Sequence, residues 1–398
     1  MRALEIAQPS ITRHCNELGG SLSARKEMKQ ARVAFVSMME GYPWGGSEEL
    51  WSQAAGLLAK EGFHVGVNVK HWSEDPAPIQ TLERLKCEVV RRSPRSVLQR
   101  ILGRILQESE YAWLERFRPD LVVISQGGNA EGLEWMEACL KRGIPYVTIT
   151  HAVADHWWPD DQDGVRLGQG YTGAKTCLFV SQRNLEVIQG QLALRLPNAK
   201  VIRSPVCVAN DACPTWPDGP TYRLACVGRL DPKAKGQDVL FRVLLLEKWR
   251  KRPIRVTLYG SGVNAKTLAR LKEFWNLGMV EFAGFLSNPE DIWTAEHILV
   301  LPSRVEGLPL TAIEAMLCGR PCIVTDVAGN TEVVEDNVTG FVAAAPTPAL
   351  LDEAMERAWD RRHDWQSMGQ AAARRIRELI PRDPVGEFLK NIHQVLAE

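Results

Sequence analysis

Short apolar and β-branched runs recur along the first half of the chain, and segments with a helical spacing of apolar positions separate them. The runs are RVAFVS (32–37), HVGVNV (64–69), CEVV (87–90), DLVVIS (120–125), YVTITH (146–151) and CLFVS (177–181). Runs that are apolar almost throughout are typical of strands buried on both faces of a parallel sheet. The segments between them are long enough for helices: 47–61, 97–117, 130–142 and 184–193. This alternation predicts a doubly wound α/β domain over residues 31–206.

The same alternation returns after a break in the pattern. Segment 207–220 is rich in Pro, Asp and Asn and has no period, which predicts a linker. Strand-like runs then follow at 222–229, 254–260, 280–285, 297–303 and 322–327. They predict a second Rossmann-like, doubly wound domain over 221–380, facing the first across a cleft. Ligands of open α/β sheets bind at the carboxyl ends of the strands, so the cleft is the expected site.

The two ends of the chain differ from these domains. Residues 1–30 are polar and lack a strong period, which predicts an N-terminal extension. The tail is helical and is interrupted between Pro381 and Pro384, so residues 381–398 are expected to form a separate C-terminal helix. Whether that helix packs back on the first domain is left open.

Composition narrows the functional classes. The 398 residues carry 48 basic and 48 acidic side chains, and zero net charge argues against nucleic acid as the main partner. No apolar run approaches the roughly 20 residues that span a bilayer. The nine cysteines show no paired-ligand spacing, which predicts reduced thiols in a cytoplasmic protein. The acidic segment DHWWPDDQD (155–163) is interpreted as a polar loop rather than a cation site, and no metal is expected.

The segment SRVEGLPLTAIEAMLCGRP (303–321) carries the first candidate chemistry. Glu306 lies in a loop between a strand and a helix that is expected to start near Pro309. Amides at a helix start have no partner within the helix and attract anions. Carboxylates at such a place, here Glu306 and Glu314, can accept hydrogen bonds from sugar hydroxyls. An ordinary capped helix with surface acids is the alternative.

The second candidate segment is VGRLDPKAKGQDVL (227–240). Arg229 follows a strand and Lys235 precedes a helix, so both cations are expected at the carboxyl edge of the second sheet. Two cations at one point suit a diphosphate. Two solvated basic residues on a loop are the alternative.

Together these segments resemble the donor-site signature of glycosyltransferase family four, whose members are retaining enzymes of the two-domain GT-B architecture. The matching stretches are VGRLDPKAKG and EGLPLTAIEAMLCGRP, with two glutamates separated by seven residues, and the likeness continues through VTDVAGNTEVVEDNVTGFV. It is looser in the first domain, through WGGSEELW, YVTITH and LFVSQRNL. The chain departs from the family at Ser204-Pro205, where Asn-Gly is common, and this concerns the hinge more than the chemistry.

The resemblance implies a role for each matching residue. Arg229 and Lys235 neutralise the donor diphosphate, and Glu314 takes the ribose hydroxyls. The catalytic positions are Glu306, beside the donor sugar, and His151, at the end of a first-domain strand. The full donor set is Arg229, Lys235, Gly307, Leu308, Leu310, Glu314, Gly46, Gly260 and Phe285. For His151, a purely structural hydrogen-bonded histidine is the alternative.

The implied reaction moves a sugar from a UDP- or GDP-sugar to an acceptor hydroxyl, with retention, in glycan, glycolipid or glycoside synthesis. No metal or other cofactor is expected, since two cations and a helix N-terminus can stabilise the leaving diphosphate. The alternative function is a non-catalytic GT-B-like protein that binds a sugar nucleotide or a protein partner.

Acceptor contacts are expected from the first domain, where the sequence is less informative. The candidates are Tyr42, Trp44, Trp157 and Trp158, and core packing is the alternative for the last two. In GYPWGGSEELW (41–51) the glycines would let the backbone approach the cleft closely. Glu48 and Glu49 would complement the helix N-terminus and repel a diphosphate held there.

The segment RRSPRSVLQRILGRILQ (91–107) carries five arginines among apolar positions at helical spacing. Such a helix could lie on an anionic membrane, as a peripheral contact at the inner face. A helix that covers the sheet, with its arginines in solvent, is the alternative.

Overall fold

The computed structural model describes residues 31–92 and 111–398, beginning with a seven-stranded sheet. Its strands are β1 (Arg32–Ser37), β2 (His64–Lys70), β3 (Glu88–Arg92), β4 (Leu121–Gln126), β5 (Tyr146–Thr150), β6 (Thr176–Phe179) and β7 (Ala199–Val201). The order is β3-β2-β1-β4-β5-β6-β7, and every neighbouring pair is parallel. The order reverses between β1 and β4, and such a switch point opens a crevice at the carboxyl ends of the two strands.

A second sheet of six parallel strands follows. Its strands are β8 (Tyr222–Val227), β9 (Ile254–Tyr259), β10 (Val280–Gly284), β11 (Ile298–Leu301), β12 (Cys322–Thr325) and β13 (Gly340–Ala343). The order is β10-β9-β8-β11-β12-β13, which places its switch point between β8 and β11. The predicted arrangement of two doubly wound domains, each built on a parallel sheet, is confirmed.

Helices cover both faces of each sheet. Those of the first domain are α1 (Gly46–Glu61), α2 (Ala77–Arg84), α3 (Leu133–Arg142), α4 (Asp161–Gly173) and α5 (Gln182–Gln191), and residues 111–117 are also helical. Those that follow are α6 (Pro232–Lys235), α7 (Gln237–Leu244), α8 (Glu247–Arg250), α9 (Ala265–Phe274), α10 (Pro289–Ala295), α11 (Leu310–Leu317), α12 (Asn330–Val333), α13 (Pro348–Asp360), α14 (Trp365–Leu379) and α15 (Pro384–Ala397), with a 3-10 turn at Arg362–Asp364.

The C-terminal helix α15 belongs by its contacts to the first domain. Asp383 caps it by accepting a hydrogen bond from the Gly386 amide at 2.8 Å. Its buried face, which includes Phe388 and Ile392, lies in the same apolar cluster as Trp51 of α1. The break near Pro381 therefore lets the chain return across the molecule after the second domain is complete.

The structure also differs from the sequence predictions in places. The strand expected at 87–90 is Glu88–Arg92, and helices α2 and α4 lie in segments for which none was expected. The segment 155–163 is not loop throughout: α4 begins at Asp161, because Asp160 accepts a hydrogen bond from the Asp163 amide at 2.8 Å and caps the helix.

Three predictions fall wholly or mainly on residues that the structure does not describe, and one of them is the helix expected at 97–117, of which 111–117 is described. The N-terminal extension 1–30 lies outside the described residues, as does 93–107 of the possible membrane segment. Of that segment, Arg91 is described, and it pairs with Asp75 and Glu83 at 2.6 Å each. Within 31–92 and 111–398, none of the helices combines the length and apolar character needed to cross a bilayer.

Candidate functional site

An ion pair lies at the switch point of the second sheet. Lys235 Nζ is 2.6 Å from Glu306 Oε1, and the Ser303 hydroxyl donates to the same carboxylate oxygen at 2.6 Å. The Glu306 side chain is only 6% exposed and that of Lys235 is 17% exposed. Lys235 and Glu306, which were predicted from two separate motifs, thus form a buried ion pair.

Local geometry explains why the two loops meet. Ser303 and Glu306 follow β11, and the Thr325 hydroxyl at the end of β12 fixes this loop by donating to the Ser303 carbonyl at 2.7 Å. Lys235 ends the one-turn helix α6, after which Gly236 adopts φ +65°. A Cβ at Gly236 would lie 1.9 Å from the Pro302 carbonyl oxygen, so glycine is what allows the two loops to touch.

The start of α11 adds a positive end to the same place. Pro309 precedes its first residue, Leu310. The Ala312 and Ile313 amides donate to the Pro309 carbonyl at 2.9 and 3.1 Å, and the Leu310 and Thr311 amides come too early in the helix to bond within it. These two amides follow Glu306 by four and five residues. The cation of Lys235 and the helix N-terminus therefore both face the loop at 306–309, where an anion is favoured.

Arg229 lies in the loop after β8, ahead of Lys235 in the chain, and its side chain contacts the first domain. Its guanidinium carbon is 4.4 Å from the centroid of the Tyr42 ring. The Tyr42 hydroxyl is 3.5 Å from Asp231 Oδ2, and burial, the larger cause, and Asp231 raise the pKa of Tyr42. Tyr42, an acceptor candidate, is therefore in contact with Arg229, one of the two cations of the predicted diphosphate clamp formed by Arg229 and Lys235.

Gly260 brings a third loop to this edge. It adopts φ +132°, and a Cβ there would lie 2.1 Å from the Gly228 carbonyl oxygen. The loop after β9 thus lies against the loop that carries Arg229. Phe285, which follows β10, is 73% exposed.

The two domains touch where glycines allow it. A Cβ at Gly307 would lie 1.7 Å from the His151 carbonyl oxygen, and one at Gly46 would lie 2.7 Å from Leu310 Cδ1. Leu308 is buried near Gly329. The predicted donor-site backbone is therefore packed directly on first-domain residues, and larger side chains at these glycines would hold the domains apart.

His151 is buried and neutral. Burial lowers its pKa to about 4, and its Nε2 lies 3.2 Å from the Ser125 hydroxyl. A histidine of this kind can orient a hydroxyl through one ring nitrogen at neutral pH but carries no charge there. Ser125 is the residue before the end of β4, so both side chains lie at the switch edge of the first sheet.

Glu314 has a contact that the sequence did not suggest. It is buried on α11, burial raises its pKa to about 7, and its Oε1 accepts a hydrogen bond from the Cys207 amide at 3.1 Å. Its carboxyl therefore binds the start of the linker.

Glu48 lies in the first turn of α1, as expected, but its side chain is buried. It is 4% exposed and accepts a hydrogen bond from the Ser37 hydroxyl at 2.6 Å. Burial raises its pKa to about 7. Glu49 instead accepts from the Trp44 indole at 2.6 Å, which ties Trp44 to α1, where it also packs near Trp51.

The remaining acceptor candidates are exposed. Trp157 is 39% and Trp158 is 66% exposed, so the alternative of core packing is wrong for Trp158. Sequence reasoning missed Ser303, Ser125 and Asp231. Ser303 ends a strand-like run three residues before Glu306, and that position was the signal available for it.

The cysteines and the potential metal ligands are described over residues 31–92 and 111–398. Eight of the nine cysteines are described, and each is a free thiol, with Cys207 and Cys213 exposed. Over 31–92 and 111–398 the structure contains no group of three or more potential metal-ligating side chains.

The second domain is similar in sequence to known glycosyltransferases. Residues 221–361 match the family model described as Glycosyl transferases group 1. A D-inositol 3-phosphate glycosyltransferase from Corynebacterium diphtheriae is 32% identical over 161 residues, 38% of this chain and 38% of that protein. A GDP-mannose-dependent alpha-(1-6)-phosphatidylinositol monomannoside mannosyltransferase from Mycolicibacterium smegmatis is 32% identical over 30% of this chain and 34% of its own length. The chain thus spans under two fifths of these relatives.

Solved structures match over nearly the whole chain. Anabaena HepE in complex with UDP and glucose has a TM-score of 0.72 at 19% identity, covering 93% of this chain and all of that one. Sucrose-phosphate synthase from Thermosynechococcus elongatus has a TM-score of 0.71 at 19% identity, covering 92% and 99%. At this identity the likeness establishes the fold. The resemblance seen in the motifs is confirmed: the chain has the GT-B fold, and residues 221–361 of its second domain match the model of Glycosyl transferases group 1.

Proposed function

We propose that this protein is a retaining glycosyltransferase that moves a sugar from a nucleoside-diphosphate sugar to the hydroxyl of an acceptor, in glycan, glycolipid or glycoside synthesis. The observation that carries the proposal is the buried contact between Lys235 and Glu306 beside the N-terminus of α11. A cation, a carboxylate and unpaired amides converge there, and these groups bind diphosphate and sugar hydroxyls respectively.

The donor is proposed to be a uridine or guanosine diphosphate sugar. The structure of HepE contains UDP and glucose, and the mycobacterial relative is named for GDP-mannose. In the proposed complex Lys235 and Arg229 bind the diphosphate, while the loops at 260–263 and 285 border the base. Glu314 retains its bond to the linker and offers its second oxygen to the ribose.

In the proposed reaction these residues have different roles. The bond from the anomeric carbon to the diphosphate breaks first, and the two cations with the α11 amides stabilise the charge that develops on the leaving group. The acceptor hydroxyl attacks from the same face, and an oxygen of the departing diphosphate takes its proton. Glu306 positions the sugar and stabilises the oxocarbenium-like state, and neutral His151 orients hydroxyls without adding charge.

Because the clamp supplies the positive charge, we propose that turnover needs no divalent metal. We also propose a cytoplasmic location, which the free thiols of the described part of the chain support. Turnover measured with EDTA and then with added Mg²⁺ or Mn²⁺ tests the first point. A strict requirement for added metal would contradict it.

The decisive experiment is a donor screen. Thermal shift and calorimetry with UDP, GDP and ADP, and then release of nucleoside diphosphate from the matching sugars, should single out one base. Glu306→Gln should retain the nucleotide and lose turnover. If wild type binds a nucleotide yet shows no release with any donor or acceptor, the protein is a non-catalytic binder. If no nucleotide binds, the donor-site assignment itself is wrong.

A further inference from the structure

Two neighbouring tryptophans face solvent in the loop that follows β5. Trp157 is 39% exposed and Trp158 is 66% exposed, while other tryptophans such as Trp51 and Trp293 are fully buried. An exposed pair of large aromatic rings in a folded protein usually marks a surface that binds something. The fold does not need either ring for its core.

The loop is held rigidly from below by a buried network. Asn129 donates from its amide to the Trp157 carbonyl at 3.2 Å and to Gln191 Oε1 at 2.8 Å. Gln191 in turn donates to the Ala154 carbonyl at 2.9 Å, and the Tyr171 hydroxyl donates to the Asn129 carbonyl at 2.8 Å. These polar side chains are all buried, so the exposed rings stand on a preorganised base.

The rings lie at the functional edge of the first sheet. Residues 127–128 follow β4, at the switch point, and a Cβ at Gly128 would lie 3.3 Å from the Trp157 ring, so the indole packs directly over this backbone. The Glu131 carboxylate accepts from the Gly127 amide at 2.8 Å beside it. His151, at the end of β5, precedes the loop by a few residues and contacts the donor domain through its carbonyl group.

Charge decides which partner this surface fits. Segment 155–163 contains four aspartates and no lysine or arginine. Of these, Asp155 pairs with Arg183 and Asp163 pairs with Arg166, and the side chain of Asp160 caps α4. When Arg183 and Arg166 are counted, the four aspartates still leave an excess of two carboxylates, and Glu131 adds a third, so an anionic lipid surface or a phosphorylated ligand is disfavoured here. Flat aromatic faces beside carboxylates suit a neutral ring that has C–H groups on one face and hydroxyl donors on its rim.

We propose that Trp157, Trp158 and Glu131 form a subsite for a neutral saccharide unit of the acceptor. Trp157 and Trp158 contact the faces of the sugar, and Glu131 accepts hydrogen bonds from its hydroxyls. The inference rests on the proposed function for what the bound saccharide is used for, and it narrows the acceptor from any hydroxyl compound to a glycan or glycoside. Saccharide binding itself requires no donor and no turnover.

The test is saturation-transfer-difference NMR with the full chain and a set of methyl glycosides and disaccharides of glucose, galactose and mannose. We expect transfer to at least one saccharide, and roughly tenfold weaker binding in Trp158→Ala and Trp157→Ala. Trp158→Phe keeps a flat ring and should retain part of the affinity. Phe274→Ala removes a side chain that is 82% exposed on the second domain and should bind as wild type does.

Two results would overturn the proposal. One is the absence of saturation transfer from wild type to any of the saccharides, or equal binding by wild type and both tryptophan variants. The other is co-sedimentation with phosphatidylglycerol vesicles that Trp158→Ala abolishes, which would make the surface a membrane contact. UDP and GDP binding are measured on the same samples. If the nucleotide still binds in a Lys235-dependent way but the saccharide test fails, the saccharide subsite is wrong and the proposed donor site is unaffected.

Discussion

Replacing Lys235 by alanine isolates the clamp on which the proposed chemistry depends. The change removes the ammonium that lies 2.6 Å from Glu306 Oε1, a carboxylate that is 6% exposed when Lys235 is present, and the Ser303 hydroxyl still donates to it. Removing one partner of a buried ion pair costs about 3–5 kcal/mol. We expect the lower end, about 3 kcal/mol, because the Lys235 side chain is 17% exposed and water can reach the space it leaves.

The same change removes a charge-assisted contact to the diphosphate. A hydrogen bond to a charged group contributes about 1.5–3 kcal/mol, so the dissociation constant for UDP or GDP should rise by about 10- to 100-fold. The two effects can be separated. Glu306→Gln in the Lys235→Ala background removes the uncompensated charge, and it should recover most of the stability without recovering nucleotide affinity.

The assay is urea denaturation for stability and calorimetry for nucleotide binding, at one ionic strength. Lys233→Ala is the matched control, because Lys233 is an exposed residue of the same one-turn helix. It should change stability by less than about 0.5 kcal/mol. Equal losses in the two lysine variants would refute the assignment, since the effect would then come from general charge near α6. Unchanged nucleotide affinity in Lys235→Ala would refute it as well.

Three further predictions follow from other contacts. Gly307→Ala places a methyl group against the His151 carbonyl oxygen, so turnover should fall about tenfold or more, while Gly190→Ala, which meets nothing within 4 Å, should be unaffected. Burial raises the pKa of Glu48 from 4.5 to about 7, so the folded state binds this proton more tightly than the unfolded state does. The contribution of Glu48 to the free energy of unfolding should therefore fall by about 3 kcal/mol as the pH rises through this window. Urea denaturation of Glu48→Gln should lack that fall. Phe388→Ala should cost about 3–5 kcal/mol in urea, because the ring is fully buried between α15 and the first domain.

Each of these has a clear contrary result. Equal turnover of the two glycine variants would show that the domains do not close on Gly307. Burial also raises the pKa of Glu314 to about 7, so part of the wild-type loss of stability between pH 5 and 7.5 should remain in Glu48→Gln; a loss that is no smaller in Glu48→Gln than in wild type would refute the assignment to Glu48. His151 contributes with the opposite sign, since burial lowers its pKa and stability falls as pH drops below about 6.5, so only the comparison of the two proteins isolates Glu48.

Much of the fold could be predicted because buried parallel strands are apolar throughout and the loops after them are polar. The position of Glu306 and Lys235 at a sheet edge also follows from the strand–loop–helix pattern. Their mutual contact does not, because it depends on which strands become neighbours. Only the order β9-β8-β11 brings the loop after β8 beside the loop after β11.

The partners of Glu48 and Glu314 could not be predicted from the sequence, for a common reason. An acid in the first turn of a helix is expected to complement the dipole, and that pattern predicts no buried partner for Glu48. Ser37 at the end of β1 offers a buried partner, and local pattern carries no record of such long-range pairing. Glu314 is the same case, since its partner is the backbone of a linker that has no period of its own.

The contacts of the two cations bear on how donor binding and domain closure are coupled. Lys235 contacts Glu306, and Arg229 stacks on Tyr42 of the other domain. On the proposed function, a diphosphate that binds between these cations exchanges existing contacts for new ones, so its net affinity is smaller than two charged contacts alone would give. The exchange also has a chemical consequence. Drawing Lys235 toward the diphosphate loosens its hold on Glu306 and makes that carboxylate available to the sugar, so Glu306 becomes free to act when a donor occupies the clamp.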